Sequence, residues 1–301
     1  MSEALPHLCV CVCTFKRPTL LRRLLGELHA QDTRGLFTFS ILVVDNDQAE
    51  SARGVVEDFS AASALPLSYH VEPRQNIACA RNRAVRHASG DFLAFIDDDE
   101  FPIKCWLLTL FATCRKYQVD GALGPVKPHF DQTPPRWVVK GKFYERQTYP
   151  TGFVIDWRKG RTGNVLLKMH VFSGLEQPFE PLLRNGEDQD FFRRAIGRGY
   201  SFVWCNEAVA YEEVPPMRWK RTFMLRRALL RGASERMMPT FGLRDIAKSL
   251  VAIPLYVLAI PFALFIGQDR LMGLLVRLCD HLGKLLAAVG INPVAEPYVT
   301  E

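Results

Sequence analysis

Three consecutive aspartates, Asp97–Asp99, directly follow an apolar run of the sequence that ends at Ile96. Carboxylates a few ångströms apart repel one another, so such a triplet is unfavourable unless a cation neutralises it. A divalent ion that prefers hard oxygen ligands, shared with a diphosphate, provides that cation. The triplet therefore predicts a site for Mn²⁺ or Mg²⁺ bound together with a diphosphate. The alternative interpretation is a solvated acidic turn in which Asp98 or Asp99 caps a helix.

A second acidic cluster opens the segment Gly186–Ile196, which we predict to be a short helix. The carboxylates of Glu187, Asp188 and Asp190 would interact favourably with the positive end of the helix dipole, and Asn185 is a candidate cap. Asp190 can pair with Arg194 four residues later, which indicates a structural role. Asp188 is the better candidate for a general base, because a carboxylate near a metal-diphosphate site can take a proton from an attacking hydroxyl.

Apolar runs and amphipathic stretches alternate along the first hundred residues. Buried strands are predicted at Leu8–Cys13, Phe39–Val44, Leu67–Val71 and Asp91–Ile96. Helices are predicted between them, one starting at Pro18 and others over Ser51–Ala62 and Asn76–Ala88. This alternation favours an α/β fold built on a mostly parallel open sheet flanked by helices.

Polar residues stand where these predicted strands end. Ligands of open α/β sheets bind beyond the carboxyl ends of the strands, and Thr14, Asp45 and Asp97–Asp99 all lie at such ends. Residues 121–165, rich in Gly, Pro and aromatic residues, are interpreted as loops and short strands over the sheet. Two strands, Ser201–Cys205 and Ala208–Tyr211, are predicted to close the globular part.

The C-terminal part of the chain has the composition of a membrane-associated segment. Residues 216–248 contain nine Lys or Arg against two acidic residues, whereas the whole chain carries a net charge of +6. The next 19 residues, Ser249–Gly267, have no charge and are long enough to span a bilayer, although Pro254 and Pro261 make a kinked or re-entrant element an alternative. Leu271–Gly290 is amphipathic and could lie in the interface. The remaining alternative is a buried helical pair.

A basic segment followed by an uncharged apolar run favours an anionic membrane surface over nucleic acid as the partner. We therefore expect a catalytic domain over 1–217, a basic helical linker over 218–245 and a membrane-associated helical tail over 246–301. The eight cysteines show no zinc-ligand spacing, and the N-terminus lacks a signal-peptide pattern. These features predict reduced thiols and a location at the cytoplasmic face of the cell membrane.

The ordered series of motifs resembles family 2 glycosyltransferases of the GT-A fold, across roughly residues 7–218. Each motif alone is a weak signal, but six in the right order and spacing are a strong one. The matching segments are Val12–Pro18, Val43–Asp47, Asn76–Asn82, Gly90–Glu100, Gly163–Asn164 and Gly186–Phe191.

The resemblance implies a role for each site residue. The nucleotide sugar would be bound by Thr14, Arg17, Asp45, Asn76, Arg81, Asp97 and Asp98, with the base near Thr14 and Asp45. Asp97–Asp99 would be the DXD motif, with Asp97 and Asp99 at the metal, and Asp188 would be the catalytic base. The reaction would be direct displacement with inversion at the anomeric carbon. Proximity to the membrane through the predicted tail suits a lipid-linked glycan as the acceptor, in cell-surface polysaccharide or glycolipid synthesis.

Two departures from the family pattern stand out. Many members place a His after the last core strand, where this chain has Glu212, a candidate substitute ligand. Processive synthases carry Q-x-x-R-W; Arg218 and Trp219 are present, but Pro215 stands in place of Gln, which argues against processive polymerisation.

Other functions are less consistent with the sequence. A sugar nucleotidyltransferase would need a Gly-rich loop after the first strand, and that loop has no Gly. The Gly-rich fingerprints of dehydrogenases and P-loop NTPases are also missing. A decayed, membrane-tethered scaffold would not need the aspartates that both acidic clusters retain.

Overall fold

The computed structural model describes residues 4–183, 186–238 and 240–291, so the candidate cap Asn185 lies outside the described residues. The strands are β1 (His7–Thr14), β2 (Thr38–Asp45), β3 (Leu67–Val71), β4 (Phe92–Asp97), β5 (Glu100–Pro102), β6 (Gly121–Leu123), β7 (Val126–His129), β8 (Asn164–Lys168), β9 (Phe202–Trp204) and β10 (Ala210–Glu213). The α-helices are α1 (Pro18–His29), α2 (Arg53–Ala62), α3 (Ile77–His87), α4 (Trp106–Tyr117), α5 (Arg136–Lys140), α6 (Glu187–Gly197), α7 (Arg221–Glu235), α8 (Leu243–Ile266) and α9 (Gln268–Ala288). Short 3-10 helices lie at Trp157–Lys159, Met169–Phe172 and Pro216–Trp219.

The main sheet is buried on both faces, as the continuous apolar run of β1 predicts. Leu8, Val10 and Val12 point into one core, which helices α1, α2 and α4 cover. Cys9 and Cys11 point into the other core, which α3 and α6 cover. The cysteines of β1 therefore pack as small hydrophobic side chains, and the described cysteines are free thiols.

Strand register brings the polar strand ends together. The sheet order is β3-β2-β1-β4-β8-β6-β9, and β1 is parallel to both neighbours. Thr14 at the end of β1 is paired with Asp45 at the end of β2, and Cys13 is paired with Asp97 at the end of β4. The predicted α/β fold with a flanked sheet is confirmed.

The segment 121–165 differs from the sequence prediction. Instead of lying over the sheet, β6 and β8 are part of it, and β8 is antiparallel to both β4 and β6. The sheet is therefore mixed. The residues Val165–Leu167 are completely buried and apolar, as expected for a strand that lies between two others. A second sheet, in the order β5-β10-β7, carries Glu100 opposite Glu212.

Helices α7, α8 and α9 form one C-terminal helical unit (residues 221–288). Helix α9 packs against both α7 and α8. Glycines allow a very close approach of α7 to α9: a Cβ at Gly232 would lie 2.0 Å from the Asp280 carbonyl oxygen, and one at Gly283 would lie 2.2 Å from that of Leu229. The predicted basic linker is thus packed against the tail through α7.

Gly283→Ala is expected to lower the free energy of unfolding by about 1–3 kcal/mol, the usual cost of overpacking. The added methyl would meet a backbone atom of α7, which cannot move aside without separating the helices. The matched control is Gly26→Ala, at an exposed site of α1 with nothing within 4 Å of the new Cβ. Improved helix propensity should stabilise that variant by up to ~1 kcal/mol. Thermal unfolding of both variants in one detergent buffer checks this; equal transition temperatures would contradict the close packing.

Helix α8 is mostly exposed and is not a core helix. It is long and apolar enough to cross a membrane, and only 11% of its most apolar window is buried. Phe262 and Phe265 are 71% and 92% exposed. The alternative of a buried helical pair is therefore wrong for α8, although the helix runs through Pro254 and Pro261 as one continuous element.

Candidate functional site

A cleft opens at the carboxyl ends of β1 and β2. Its lining includes four residues from the loops after β1, β2 and β3 and from the start of α3, namely Phe15, Asn46, Gln75 and Ile77. Thr14, Arg17 and Asp98 also line it, so three of the predicted nucleotide-binding residues share one cleft. Asn46 fixes its far wall, since its side chain donates to the carbonyl oxygens of Glu72 and Arg74.

Two other predicted nucleotide-binding residues are bonded mainly to the protein. Asp45 is completely buried and accepts hydrogen bonds from the Ala52 and Asp47 amides and from the Tyr69 hydroxyl. Burial raises the pKa of Asp45, and these donors oppose that rise. Asn76 caps α3 by accepting from the Ala78 and Cys79 amides. Both residues thus shape the loops that border the cleft.

The aspartate triplet lies beside this cleft, at the end of β4. Asp98 is buried; its two oxygens accept from Thr14 at 2.7 Å and from Arg17 at 3.0 Å. Burial raises the pKa of Asp98 to about 6, against the opposing charge of Arg17. Asp97 is the most exposed of the three, with 41% of its side chain accessible. The triplet therefore presents one buried carboxylate toward Thr14 of β1, that of Asp98, and one solvent-accessible carboxylate, that of Asp97.

Arginines from distant parts of the chain surround the triplet. Arg17 lies 3.4 Å from Asp99, and Arg218 lies 2.8 Å from the same carboxylate. Arg218 also pairs with Glu212 at 2.8 Å, and Glu212 in turn pairs with Arg146. The carboxylates are thus already partly neutralised by guanidinium groups, which are also good ligands for phosphate.

Arg218 is the main site residue that the sequence assignment missed. It was grouped with the basic residues that face the membrane, whereas its side chain is only 16% exposed and points into the site. The sequence gives one indication of this role: Arg218 and its neighbour Trp219 match the R-W part of the Q-x-x-R-W motif. Arg146 has no comparable local pattern.

Glu100 adds a further carboxylate to the site. Both of its oxygens are buried without a hydrogen-bond partner among the described residues, and burial raises its pKa well above the usual range. A Cβ at Gly163 would lie 2.8 Å from a Glu100 oxygen and 2.9 Å from an Asp97 oxygen. The two carboxylates thus converge on a position that only glycine can occupy.

This donor set fits a hard divalent cation that is shared with a diphosphate. No group of three His, Cys, Asp or Glu side chains within the described ranges forms a complete metal site. Ions such as Mg²⁺ are commonly held by one or two carboxylates and take their other ligands from phosphates and water. Asp97 and Asp99 can supply such carboxylates, and the orphaned oxygens of Glu100 lie next to Asp97.

Helix α6 brings the second acidic cluster to the triplet through Arg81. Arg81 lies between the two clusters, paired with Glu187 at 2.5 Å and with Asp97 at 3.4 Å. Burial raises the pKa of Glu187, and the charge of Asp188 contributes to that rise. Asp188 follows on the first turn of α6 and is partly exposed. It is therefore the accessible carboxylate on the α6 side of the site.

Asp190 has the structural role that its spacing predicted. It is buried and pairs with Arg194 at 2.8 Å and with Arg193 at 2.7 Å. The predicted Asp190–Arg194 pair is confirmed.

Comparisons with known proteins identify the family of this chain. A family model described as "Glycosyl transferase family 2" matches residues 9–174. The succinoglycan biosynthesis protein ExoM of Rhizobium meliloti (strain 1021) is 35% identical over 228 residues, covering 75% of this chain and 73% of ExoM. The GalNAc(5)-diNAcBac-PP-undecaprenol beta-1,3-glucosyltransferase of Campylobacter jejuni is 30% identical over 111 residues, 35% of this chain and 34% of that protein.

Solved structures show the same fold. The mannosyltransferase PcManGT from Pyrobaculum calidifontis, determined in complex with GDP-Man and Mn²⁺, matches with a TM-score of 0.63 at 17% identity. The match covers 94% of this chain and 88% of PcManGT. The family match, the identity with ExoM and the sheet that carries the site lead to one assignment: this chain is a glycosyltransferase of glycosyl transferase family 2, with the GT-A fold.

Proposed function

We propose that the protein transfers a sugar, with inversion, from a metal-bound nucleotide-diphosphate sugar to a lipid-linked glycan at the cytoplasmic face of the cell membrane. The observation that carries the proposal is the meeting of two acidic clusters at the sheet edge. Arg81 lies between Asp97 of the triplet and Glu187, the residue before Asp188. A diphosphate bound at the triplet would thereby lie next to Asp188, the proposed base.

The donor would lie with its nucleoside in the cleft and its diphosphate at the triplet. Thr14, Arg17 and Asp98 line the inner cleft, and Asp97 and Asp99 would hold Mn²⁺ or Mg²⁺. When bound, the metal ion neutralises charge on the departing diphosphate. PcManGT supports this arrangement, because it was solved with GDP-Man and Mn²⁺.

The protein's own groups would complete the reaction. The acceptor oxygen forms a bond to the anomeric carbon as the bond from that carbon to the diphosphate oxygen breaks. Asp188 takes the proton of the acceptor hydroxyl, and the diphosphate leaves with the electron pair of the broken bond. Arg17 and Arg218, already within 3.4 Å of Asp99, are positioned to stabilise the developing negative charge.

The C-terminal helical unit supports a lipid-linked acceptor. The exposed apolar side chains of α8 can enter a bilayer, and Lys220, Arg221 and Arg226 on the preceding stretch are exposed. Each such cation contributes ~1 kcal/mol at an anionic leaflet. ExoM is a succinoglycan biosynthesis protein, and the name of the Campylobacter relative specifies an undecaprenol-linked acceptor. Attachment to the membrane would keep such an acceptor within reach.

A donor screen tests the proposal. Purified full-length protein is incubated with a panel of nucleotide sugars, with Mn²⁺, with Mg²⁺ or with a chelator, and the released nucleotide is measured. We expect slow hydrolysis of one donor in the presence of metal alone. Release of pyrophosphate from a sugar phosphate and a nucleoside triphosphate would instead favour a nucleotidyltransferase.

A further inference from the structure

We propose that α8 lies in the plane of the membrane surface, so that the protein enters one leaflet and does not cross the bilayer. The inference rests on the membrane attachment of the proposed function and specifies its form. With 24 residues, α8 is roughly 36 Å long and could span hydrocarbon by length alone. Its orientation is therefore decided by what it packs against.

Helix α8 is the outer arm of a hairpin. Only Gly267 separates it from α9, and the two helices pack against each other. Ser249 lies 2.9 Å from the His281 ring, which also packs against Tyr256. The inner side of α8 is thus held along α9, and from Leu250 to Ile266 its outer side is exposed and apolar. A spanning α8 would have to take α9 with it or lose these contacts.

Helix α9 is unsuited to hydrocarbon because it is bound to polar partners. Asp269 pairs with Lys140 of the catalytic domain at 3.3 Å. Lys284 pairs with Glu235 of α7 at 2.7 Å, and Asp280 pairs with Arg231. Charged side chains inside a bilayer are costly and are rarely placed there without function. Two of these pairs hold α9 against α7, and the Asp269–Lys140 pair holds the start of α9 beside the catalytic domain, with α8 attached to it.

The cations near both ends of α8 agree with an in-plane position. Arg244 and Lys248 are exposed near its start, and Arg270 is exposed just beyond its end. Lys and Arg accumulate on the cytoplasmic flanks of membrane segments, so both ends of α8 belong on the same side. Such a helix complements an anionic leaflet, because its long apolar face can contact the acyl chains while the cations near its two ends contact the headgroups.

Cysteine labelling from the two sides of a membrane tests the inference. Gln268→Cys places a thiol at the turn after α8, and Ala247→Cys places the matched control near its start; both sites are exposed. Each full-length variant is expressed in a bacterial host and treated with a membrane-impermeant maleimide in intact spheroplasts and in inverted vesicles. The unsubstituted chain gives the background of the native thiols. We expect both variants to be labelled in inverted vesicles and neither in spheroplasts.

Each other outcome overturns a defined part of the account. Labelling of Gln268→Cys from outside intact spheroplasts would mean that α8 spans. Labelling of that site only after detergent is added would mean that the helix re-enters the bilayer, which also overturns the in-plane position. If the protein is recovered soluble, for instance as a dimer through α8, the membrane part of the proposed function fails as well. The last result is recognised by fractionation before any labelling, so the two failures are distinguishable.

Discussion

Replacing Asp188 by asparagine is expected to lower sugar transfer by ~10²–10⁴-fold, the usual worth of a positioned general base. Asparagine keeps the size of the side chain but cannot accept the proton of the acceptor hydroxyl. Asp188 is partly exposed on the first turn of α6, and the buried Arg81–Glu187 pair beside it remains intact in the variant. Donor affinity should therefore change little. Initial transfer rates and calorimetric donor binding, measured on the same preparation, check both expectations.

Asp190→Asn is the matched control, since it makes the same chemical change two residues later on the same helix. Asp190 is buried and bound to Arg193 and Arg194, so this variant should lose about 1–3 kcal/mol of stability. Its loss of transfer should be much smaller than that of Asp188→Asn. If Asp190→Asn abolishes transfer while Asp188→Asn retains it, the base has been assigned to the wrong carboxylate.

Asp99→Asn is expected to weaken donor binding by at least ~10–100-fold in the presence of Mn²⁺ and to change it little in a chelator. Removing a residue that only supports a metal ligand already costs that much, and Asp99 is proposed as a ligand. The amide is a poorer ligand for a hard cation. Arg218 would keep its contact with Glu212, so the arginine should stay in place. Titration calorimetry of a nucleoside diphosphate, with and without metal, measures the effect.

The control for this experiment is Asp58→Asn, at an exposed carboxylate of α2 that pairs with Arg22 on the surface. It should bind the nucleotide like the unsubstituted protein. Wild-type affinity that is the same with and without a divalent ion would refute the metal assignment, and the cluster of arginines would then be the cationic partner of the diphosphate.

The sheet and the position of the site could be predicted because they follow from local patterns. Strands β1, β2 and β4 are continuous apolar runs, each ending at a polar residue, and their predicted limits differ from the structure by one residue at each end. Parallel neighbours align their carboxyl ends, so Thr14, Asp45 and Asp97 had to meet once the strands were adjacent. The prediction required only the limits of the apolar runs along the sequence and no knowledge of distant contacts.

The partners of the triplet could not be predicted because they come from far along the chain. The sequence argument required a cation at Asp97–Asp99, and Arg218, 119 residues from Asp99, supplies one. Glu187 was interpreted as an acid that opposes the helix dipole, yet it is buried against Arg81. Such ion pairs depend on the packed arrangement of helices and strands, which no local spacing specifies.

The packing of the C-terminal helices could not be predicted from the sequence either. The apolar composition of the tail was evident, but hydropathy alone does not distinguish a buried helix from an exposed one. The structure makes the distinction: Gly232 and Gly283 bring α7 against α9, and the apolar side chains of α8 are exposed. Arg218 was grouped with the membrane-facing cations for the same reason: charge is visible in a sequence, and the direction of a side chain is not.

The most direct measurement of the central claim is transfer itself. Full-length protein in vesicles that contain host lipid extract is supplied with radiolabelled nucleotide sugars, and the organic-soluble fraction is counted with Mn²⁺ or with a chelator. The account predicts label in the lipid fraction from one donor, dependent on metal and abolished in Asp188→Asn. Equal incorporation in the chelator, or label confined to water-soluble products with every donor, would contradict a metal-dependent transferase that acts on a lipid-linked acceptor.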